Sequence, residues 1–189
     1  ATDGIDEIKK FKISLFSPIR PMLADRVQSE KDVIEKMKHE PFVAEYKLDG
    51  ERVQIHKKGH EVKLFSRSLE DITQYYPDIV NNIGDSIKTD NGVFEAEIVP
   101  INENTGDFLP FQELMHRRRK HKLDEAISQY PIQVNFFDVL YCDDDCMDKT
   151  YGERRDLLED QVKQNDFAKL VPKSTVFRVQ SEKDVERIE

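Results

Sequence analysis

Apolar and polar residues alternate in short runs through the first half of the chain, a period typical of half-buried β-strands. The runs predicted as strands are Phe42–Leu48, Val53–His56, Val62–Arg67 and Val93–Val99. A further run, Ile132–Tyr141, is apolar enough to form a largely buried strand. Asp49-Gly50 lies between the first two runs and is a typical hairpin-turn sequence, so we expect those two strands to pair.

Three segments carry helical spacing or helix-boundary signals. Ser29 and the apolar residues that follow it predict a short helix that ends before Pro41. Pro110–His121 and Tyr151–Gln164 are also predicted as helices, and Asp143–Asp145 as a turn. Strands dominate the first half without regular intervening helices, which favours an α+β fold of mostly antiparallel sheets with flanking helices.

The two ends suggest that this chain is part of a longer protein. Ala1 is not an initiator methionine, and Ser181 to Asp184 predict a helix start close to Glu189. A helix of only about two turns needs packing to persist, so we expect the natural chain to continue beyond this point.

Composition limits the class of protein. The 189 residues are 38% hydrophobic and 35% charged, which argues against wholesale disorder. No apolar run approaches the ~20 residues that a membrane helix needs, so no membrane association is expected. Cys142 and Cys146 cannot form a disulfide framework, which favours an intracellular, reducing compartment, and the acidic turn between them is preferred to a metal site.

The net charge of −9 conflicts with a nucleic-acid partner, but the charge is unevenly distributed. Lys47–Arg67 contains six Lys and Arg against three Asp and Glu, and His116–Lys122 contains five basic residues and no acid. Such patches can bind phosphate locally. For Arg117–Lys120, a solvated helix end and a DNA or interdomain contact carry equal weight.

Alternation also places charged residues together. Glu45, Lys47 and Asp49 share the face opposite the apolar positions of their predicted strand, and Glu95 and Glu97 share the polar face of another. On this pattern alone, solvated faces of half-buried strands are the favoured interpretation.

The segment Lys47-Leu-Asp-Gly-Glu-Arg52 shifts that balance through its combination of residue types. A lysine whose pKa falls below ~10.4 can act as a covalent nucleophile. Asp49 could hold a divalent ion, and Arg52 would add a forked phosphate donor. Together these groups are suited to attack on a phosphorus centre.

The segment matches the Lys-x-Asp-Gly-x-Arg signature of the covalent nucleotidyltransferases, and the chain resembles ATP-dependent DNA ligases of the archaeal and eukaryotic type. Other ligase-like motifs follow in family order across about residues 18–160. They are Pro18-Ile-Arg-Pro-Met-Leu-Ala24, Glu45-Tyr46, Val53-Gln-Ile-His56, Phe65-Ser-Arg67, Glu95-Ala-Glu-Ile-Val99, Phe111-Gln112 and Asn135-Phe-Phe-Asp-Val-Leu-Tyr141.

The resemblance implies that Lys47 is the nucleophile, which attacks the α-phosphorus of ATP and holds AMP as a phosphoramidate. It implies that Glu45 reads the adenine amino edge and that Phe137 stacks on the base. An aromatic residue in so apolar a strand is otherwise more often a core residue.

The remaining implied roles concern the ribose, the phosphates and a metal. Arg52 and Arg67 would contact ribose or phosphate, Glu97 would hold the ribose or a metal, and Asp49 is the further metal ligand. The implied cofactors are ATP and Mg²⁺ (or Mn²⁺), because nucleotidyl transfer depends on positioning and charge neutralisation.

The resemblance further implies an adenylation domain of the ATP-grasp-like nucleotidyltransferase type, incomplete at its C-terminus. Residues 18–189 would be its N-terminal part, and residues 1–17 a linker or the tail of a preceding helical DNA-binding domain. The implied partner of a monomeric enzyme is nicked double-stranded DNA, with a sliding clamp or repair protein bound through other regions. The location would be the cytoplasm in an archaeon and the nucleus in a eukaryote.

Three alternatives remain open at this point. An RNA ligase and an mRNA-capping guanylyltransferase share the Lys-x-Asp-Gly signature, and a non-catalytic binding module could retain it. Comparing adduct formation from ATP and from GTP would identify a capping enzyme, and comparing the sealing of nicked DNA and nicked RNA would identify an RNA ligase. Activity that survives Lys47→Ala would favour the binding module.

We expect the 189-residue chain by itself not to seal nicks and to form little Lys47–AMP. The family's domain continues with a Glu-Gly-x-x-x-Lys segment and a Lys-x-Lys strand that grips the phosphates, and neither follows Tyr141 in this sequence. The measurement is transfer of radiolabel from α-labelled ATP to the purified chain. Robust labelling of Lys47 would contradict the expectation.

Overall fold

A computed structural model describes residues 12–37, 40–119 and 123–174. The described residues belong to two compact units. One contains residues 12–20 and Leu48–Leu170, and the other contains Pro21–Lys47 together with the residues from Val171 onward. No helix in these described segments is long and apolar enough to cross a membrane.

The first unit is built around one five-stranded sheet. Its strands are β1 (Glu51–Lys58), β2 (Glu61–Ser66), β3 (Asn91–Pro100), β4 (Ile132–Cys142) and β5 (Ala168–Leu170). The spatial order is β2-β1-β3-β4-β5, with β5 parallel to β4 and every other pair antiparallel. The predicted α+β class and mostly antiparallel pairing are therefore confirmed.

The described helices precede the strands or lie between them in the chain, and the first of them belongs to the second unit. They are α1 (Glu30–Met37), α2 (Pro77–Asn82), α3 (Gln112–Arg119), α4 (Leu123–Gln129) and α5 (Tyr151–Gln161), with short 3₁₀ helices at Thr73–Tyr75 and Ile83–Ser86. The predictions that correspond to α1, α3 and α5 are confirmed. The sequence did not predict α2, α4, β5 or the 3₁₀ helices, and the helix start predicted at Ser181 lies outside the described residues.

The core lies on one face of the sheet. Val53 and Ile55 of β1 point into it, and Phe94 and Phe136 meet edge to face, with ring centroids 6.0 Å apart. Alternation explains this, because every second residue of a strand points to the same face. Other fully buried apolar residues come from the remaining strands and the helices: Leu64, Ile72, Ile79, Ala96, Ile98, Leu114, Val134, Val139 and Leu158.

The first predicted strand is wrong. Phe42–Leu48 forms no strand and has only isolated bridges, one of them between Glu45 and Lys173. Ala44 N–H donates to Ser174 Oγ at 2.8 Å, and Ser174 N–H donates to the Ala44 carbonyl at 2.8 Å. Among the described residues, this part of the chain is thus joined to residues 173 and 174 by hydrogen bonds and an isolated bridge within the second unit.

The second unit also contains α1, whose beginning matches the sequence signals. Ser29 Oγ accepts the backbone N–H of Asp32 at 3.3 Å, and Asp32 Oδ2 accepts the backbone N–H of Gln28 at 2.9 Å. The two side chains therefore satisfy donors at the helix N-terminus, much as in a capping box.

The predicted Asp49-Gly50 hairpin is also wrong. The β1–β2 hairpin turns instead at Gly59 and His60, where Gly59 has a φ of 58° and Lys58 pairs with Glu61. Gly50 is needed for a different reason. A Cβ built on it would lie 2.2 Å from the backbone oxygen of Ile98 and 3.0 Å from Glu97 Cγ. The missing side chain lets the chain pass directly against β3 as it enters β1.

Residues 12–20 lie against the other face of the sheet. Ile19 N–H donates to Gln54 Oε1 at 2.8 Å, and Gln54 Nε2 donates to the Ile19 carbonyl at 3.1 Å. Phe16 N–H donates to His56 Nδ1 at 2.9 Å, and Lys63 Nζ lies 5.1 Å from the centroid of the Phe16 ring. This segment thus covers polar side chains of β1. That residues 1–17 end a preceding domain stays a prediction.

The partners of His56 define its protonation state. Nδ1 accepts the Phe16 N–H and so carries no proton, which leaves Nε2 as the donor to Gln54 Oε1 at 2.8 Å. A second proton would place an N–H against the Phe16 N–H. Burial lowers the pKa of His56 from 6.5 to about 4.

We predict that Gly50→Ala destabilises the chain by at least about 2 kcal/mol, because the new methyl group would overlap a backbone oxygen that cannot move without separating β1 from β3. Urea denaturation followed by circular dichroism measures the change. Gly152→Ala is the matched control, since nothing lies within 4 Å of a Cβ at that helical position. We expect that control to be neutral or stabilising by up to ~1 kcal/mol. Equal denaturation midpoints for the two variants would contradict the steric explanation.

We also predict that stability falls as the pH is lowered from about 6.5 to about 4, because the unfolded chain protonates His56 at a higher pH than the folded chain does. The loss reaches roughly 3 kcal/mol and levels off below the folded pKa. Urea denaturation at a series of pH values measures the slope in the wild type, in His56→Gln and in His60→Gln, which alters an exposed histidine. The slope in this range should shrink only in His56→Gln. An unchanged slope in that variant would assign the effect to other groups.

Candidate functional site

The face of the sheet opposite the core carries a set of buried polar side chains. Gln54 and His56 of β1 and Glu95 of β3 are 4%, 0% and 2% exposed, respectively. The β1–β3 register pairs Gln54 with Glu95 and Arg52 with Glu97. For Glu95 the expectation of a solvated strand face is wrong, because neighbouring strands and the Gln54 side chain cover it. We call Arg52, Gln54, Glu95 and Phe137 the polar-face cluster.

Glu95 is the centre of the cluster. Its Oε2 accepts a hydrogen bond from Arg52 Nε at 2.8 Å, and its Oε1 accepts one from Gln54 Nε2 at 2.8 Å. A buried carboxylate is costly unless it is paired and hydrogen-bonded, and here both oxygens have donors. The hydrogen bond to Glu95 orients the Arg52 guanidinium, and the Arg52 side chain is 30% exposed, so part of it is accessible to a ligand.

Phe137 adds an aromatic surface to the cluster. Phe136 pairs with Ala96 and Asp138 with Glu95, so Phe137 is an extra residue without a partner on β3, that is, a β-bulge. Phe136 is fully buried in the core, whereas Phe137 is half-buried and lies outside it. The Arg52 Cζ lies 5.2 Å from the centroid of the Phe137 ring. The core interpretation of Phe137 is thus excluded.

A residue of α5, Arg154, holds the bulge in place. Arg154 donates from Nε to Asp138 Oδ1 at 2.8 Å and from a terminal nitrogen to Oδ2 at 3.1 Å. This forked pair is a strong and directional contact, and its hydrogen bonds raise the pKa of Arg154. The residue after Phe137 is therefore held firmly, which limits how far the aromatic ring can move.

The other predicted residues of this unit lie near the same end of β1. Arg67 is exposed and directly follows β2, whose last residue, Ser66, pairs with Val53. Glu97 is half-buried in β3, opposite Arg52 on one side and Asn135 on the other. Asp49 is exposed just before β1. The sheet therefore brings Arg52, Glu97 and Phe137 together, with Arg67 at the adjacent strand end.

Glu45 and Lys47 belong to the second unit. Both side chains are exposed. Tyr46 between them is 71% exposed, so the apolar face expected for this segment does not form a core. In the chain, Lys47 precedes Arg52 by five residues. An exposed amine is sterically accessible to a substrate.

The carboxylates suggested as metal ligands do not form a preassembled cage. Among the described residues, no group of three or more His, Cys, Asp or Glu side chains is arranged to hold a metal. Mg²⁺ is commonly bound by one or two carboxylates together with substrate phosphates and water. Asp49, which is exposed, and Glu97, which is half-buried, fit that sparser kind of site.

Arg117 is not a surface contact residue. Its side chain is fully buried; one terminal nitrogen pairs with Asp78, another donates to the Tyr130 carbonyl at 3.0 Å, and Cζ lies 5.2 Å from the centroid of the Tyr76 ring. Arg117 therefore joins α3 to α2, and both expectations for it, a solvated helix end and a DNA or interdomain contact, are wrong. The side chains of residues 118–120 are not described.

The two cysteines flank a turn, as predicted. Asp143 has a φ of 55°, and Cys142 N–H donates to the Asp144 carbonyl at 2.9 Å. Both thiols are free, and burial raises the pKa of Cys142 and of Cys146. Raised pKa values keep the thiols protonated, which makes them poor metal ligands and poor nucleophiles.

Sequence reasoning assigned no role to Gln54, His56 or Glu95. Alternation already placed Gln54 and His56 opposite the apolar residues of β1, and it placed Glu95 beside Glu97. Their burial could not be read from that pattern, because it depends on residues 12–20, which carry no strand or helix signal.

Comparisons with known proteins agree with this architecture. Residues 21–188 match the family model described as "ATP dependent DNA ligase domain". The chain is 59% identical over 187 residues to a DNA ligase of Nitrosopumilus maritimus and 56% identical over 177 residues to one of Cenarchaeum symbiosum. These alignments cover 98% and 93% of this chain but only 31% and 30% of the relatives. The chain thus spans less than a third of their length.

A solved structure, "mycobacterial DNA ligase D complexed with ATP and MES", has a similar fold, with a TM-score of 0.51 and 21% sequence identity. The match covers 70% of this chain and 40% of that one. The family match extends over most of the sequence, and the five-stranded sheet and its flanking helices agree with it. The chain belongs to the family of ATP-dependent DNA ligase domains and forms part of its nucleotide-transferring (adenylation) domain.

Proposed function

We propose that the protein containing this chain is an ATP-dependent DNA ligase in which Lys47 is the nucleophile. The unprotonated Nζ attacks the α-phosphorus of ATP, the bond to the bridging oxygen of the β-phosphate breaks, and pyrophosphate leaves. The Nζ proton passes to solvent, and AMP stays on Lys47 as a phosphoramidate. A covalent intermediate of this kind divides one difficult transfer into easier steps.

The next two steps transfer the AMP and seal the strand. The 5′-phosphate of a DNA nick attacks the lysyl-AMP, which forms a 5′–5′ pyrophosphate and frees Lys47. The 3′-hydroxyl then attacks the 5′-phosphate, and AMP leaves as the phosphodiester bond forms. Both steps are phosphoryl-type transfers that rely on positioning and charge stabilisation.

The observation that carries the proposal is the polar-face cluster. Arg52 is oriented by Glu95 at 2.8 Å, lies beside the Phe137 ring at 5.2 Å and keeps part of its side chain exposed. A forked cation beside an aromatic surface is suited to a nucleotide, which offers both phosphate oxygens and a flat base. We assign Phe137 to base stacking, and Arg52 and Arg67 to ribose or phosphate contacts.

Two further assignments concern the base and the metal. We assign Glu45 to the adenine amino group, because its carboxylate is exposed and can accept hydrogen bonds. Asp49 and Glu97 would hold Mg²⁺ or Mn²⁺, with Glu97 also able to accept from the ribose. A bound divalent ion would neutralise phosphate charge as the leaving group departs. DNA and ATP are intracellular, so we place the reaction inside the cell, in the cytoplasm if the source is archaeal.

The test is adduct formation by the protein at its full natural length. Incubated with α-labelled ATP and Mg²⁺, the wild type should acquire a covalent label that is stable in alkali and released by acid, as a phosphoramidate is, and Lys47→Ala and Lys47→Arg should lose it by a factor of at least ~10³ because the nucleophile is gone. Lys58→Ala, which removes an exposed lysine of β1, is the matched control and should label normally. Undiminished labelling of Lys47→Ala would overturn the assignment.

The same preparation separates the alternatives. Labelling from GTP in preference to ATP would favour a guanylyltransferase, and sealing of nicked RNA in preference to nicked DNA would favour an RNA ligase. Nick sealing that survives Lys47→Ala would favour a non-catalytic role for this domain.

A further inference from the structure

Gln54 joins residues 12–20 to the charged part of the polar-face cluster. Oε1 accepts from the Ile19 N–H and from His56 Nε2, both at 2.8 Å. Nε2 donates to the Ile19 carbonyl at 3.1 Å and to Glu95 Oε1 at 2.8 Å. An amide offers two donors and two acceptor positions, so all four are used.

This saturation fixes the orientation of the amide. His56 is held by the Phe16 N–H in the tautomer that donates from Nε2, so Gln54 must present its oxygen to His56 and its nitrogen to Glu95. A flipped amide would place its oxygen against the Glu95 carboxylate. At 4% exposure, water cannot compensate for the lost bonds.

The consequence reaches Arg52 through Glu95. The Glu95 side chain is 3% exposed, and its two oxygens are shared between Gln54 and Arg52. If the Gln54 donor is lost, the carboxylate is free to rotate and Oε1 can compete for the guanidinium. The direction of the exposed part of Arg52 would then no longer be fixed.

We propose that Gln54 is a positioning residue for nucleotide binding: it locks the Glu95 carboxylate, which aims Arg52 at the nucleotide, and it makes that geometry depend on the docking of residues 16–19. This inference rests on the proposed function, in which Arg52 contacts ATP. Gln54 itself touches no substrate. It acts through Glu95, and its removal weakens ATP use more than it lowers the stability of the fold.

The experiment measures, in the protein at its full natural length, the ATP concentration that gives half-maximal labelling of Lys47. Gln54→Met keeps the length of the side chain and removes its polar atoms, and Glu95→Gln keeps the shape and removes the charge. Each should raise the half-saturating ATP concentration by roughly tenfold, as expected for one lost orienting contact. The double variant should show little further increase, because both changes remove the same link.

Gln54→Glu is a second variant that distinguishes positioning from general damage. It places a carboxylate against Glu95, and two facing carboxylates retain a shared proton more readily as the pH falls. Its defect relative to wild type should therefore shrink from pH 8 to pH 6, whereas that of Gln54→Met should not. Ile55→Val, a core change on the same strand, is the stability control and should leave ATP dependence unchanged.

Half-saturating ATP within twofold of wild type in both Gln54 variants would overturn the positioning role while leaving the Lys47 chemistry intact. Effects of Gln54→Met and Glu95→Gln that multiply in the double variant would overturn it as well, since they would act independently. If the wild type forms no Lys47 adduct from ATP, the proposed function itself fails, and the inference fails with it.

Discussion

The antiparallel pairing of β1 with β3 is the constraint on which both the core and the polar-face cluster depend. Its register aligns Val53 and Ile55 with Ala96 and Phe94 on one face, and Gln54 with Glu95 on the other. A shift of one residue would exchange the two faces and bury the charges in the apolar core. The close approach of Gly50 to the Ile98 carbonyl fixes where this pairing begins.

Buried charge is paired with an opposite charge at two places in the first unit. Glu95 meets Arg52 and Gln54 beneath residues 12–20, and Arg117 meets Asp78 and the Tyr130 carbonyl between helices. Buried ions are tolerated when they are paired, and removing one partner is costly. Glu95 has a donor on each oxygen, whereas Arg117 is paired through its terminal nitrogens and its Nε is buried without a hydrogen-bond partner. The two arrangements differ in what they leave accessible. Arg117 is enclosed completely, whereas Arg52 retains exposed surface that a ligand can use.

The sequence predicted most of the strands and helices, because their periods are strong over six to eleven residues. It failed at Phe42–Leu48, where alternating residues imitate a strand but form only isolated bridges in the part of the chain that the structure describes. It also assigned Gly50 to a turn, since an Asp-Gly pair in the sequence does not reveal whether glycine serves a turn or a close approach. Arg117 was misjudged for a similar reason: a run of basic residues does not show which member points inward.

The bulge at Phe137 also changes the phase of β4. Before it, even-numbered residues such as Val134 and Phe136 point to the core; after it, Val139 does so, and an irregularity at Leu140 returns Cys142 to the core side. An acidic residue can consequently occupy the middle of an apolar strand at position 138. Tolerance to substitution along β4 should follow the side of the sheet that each residue faces after the bulge. A polar residue is therefore accepted at position 138 but not at Phe136.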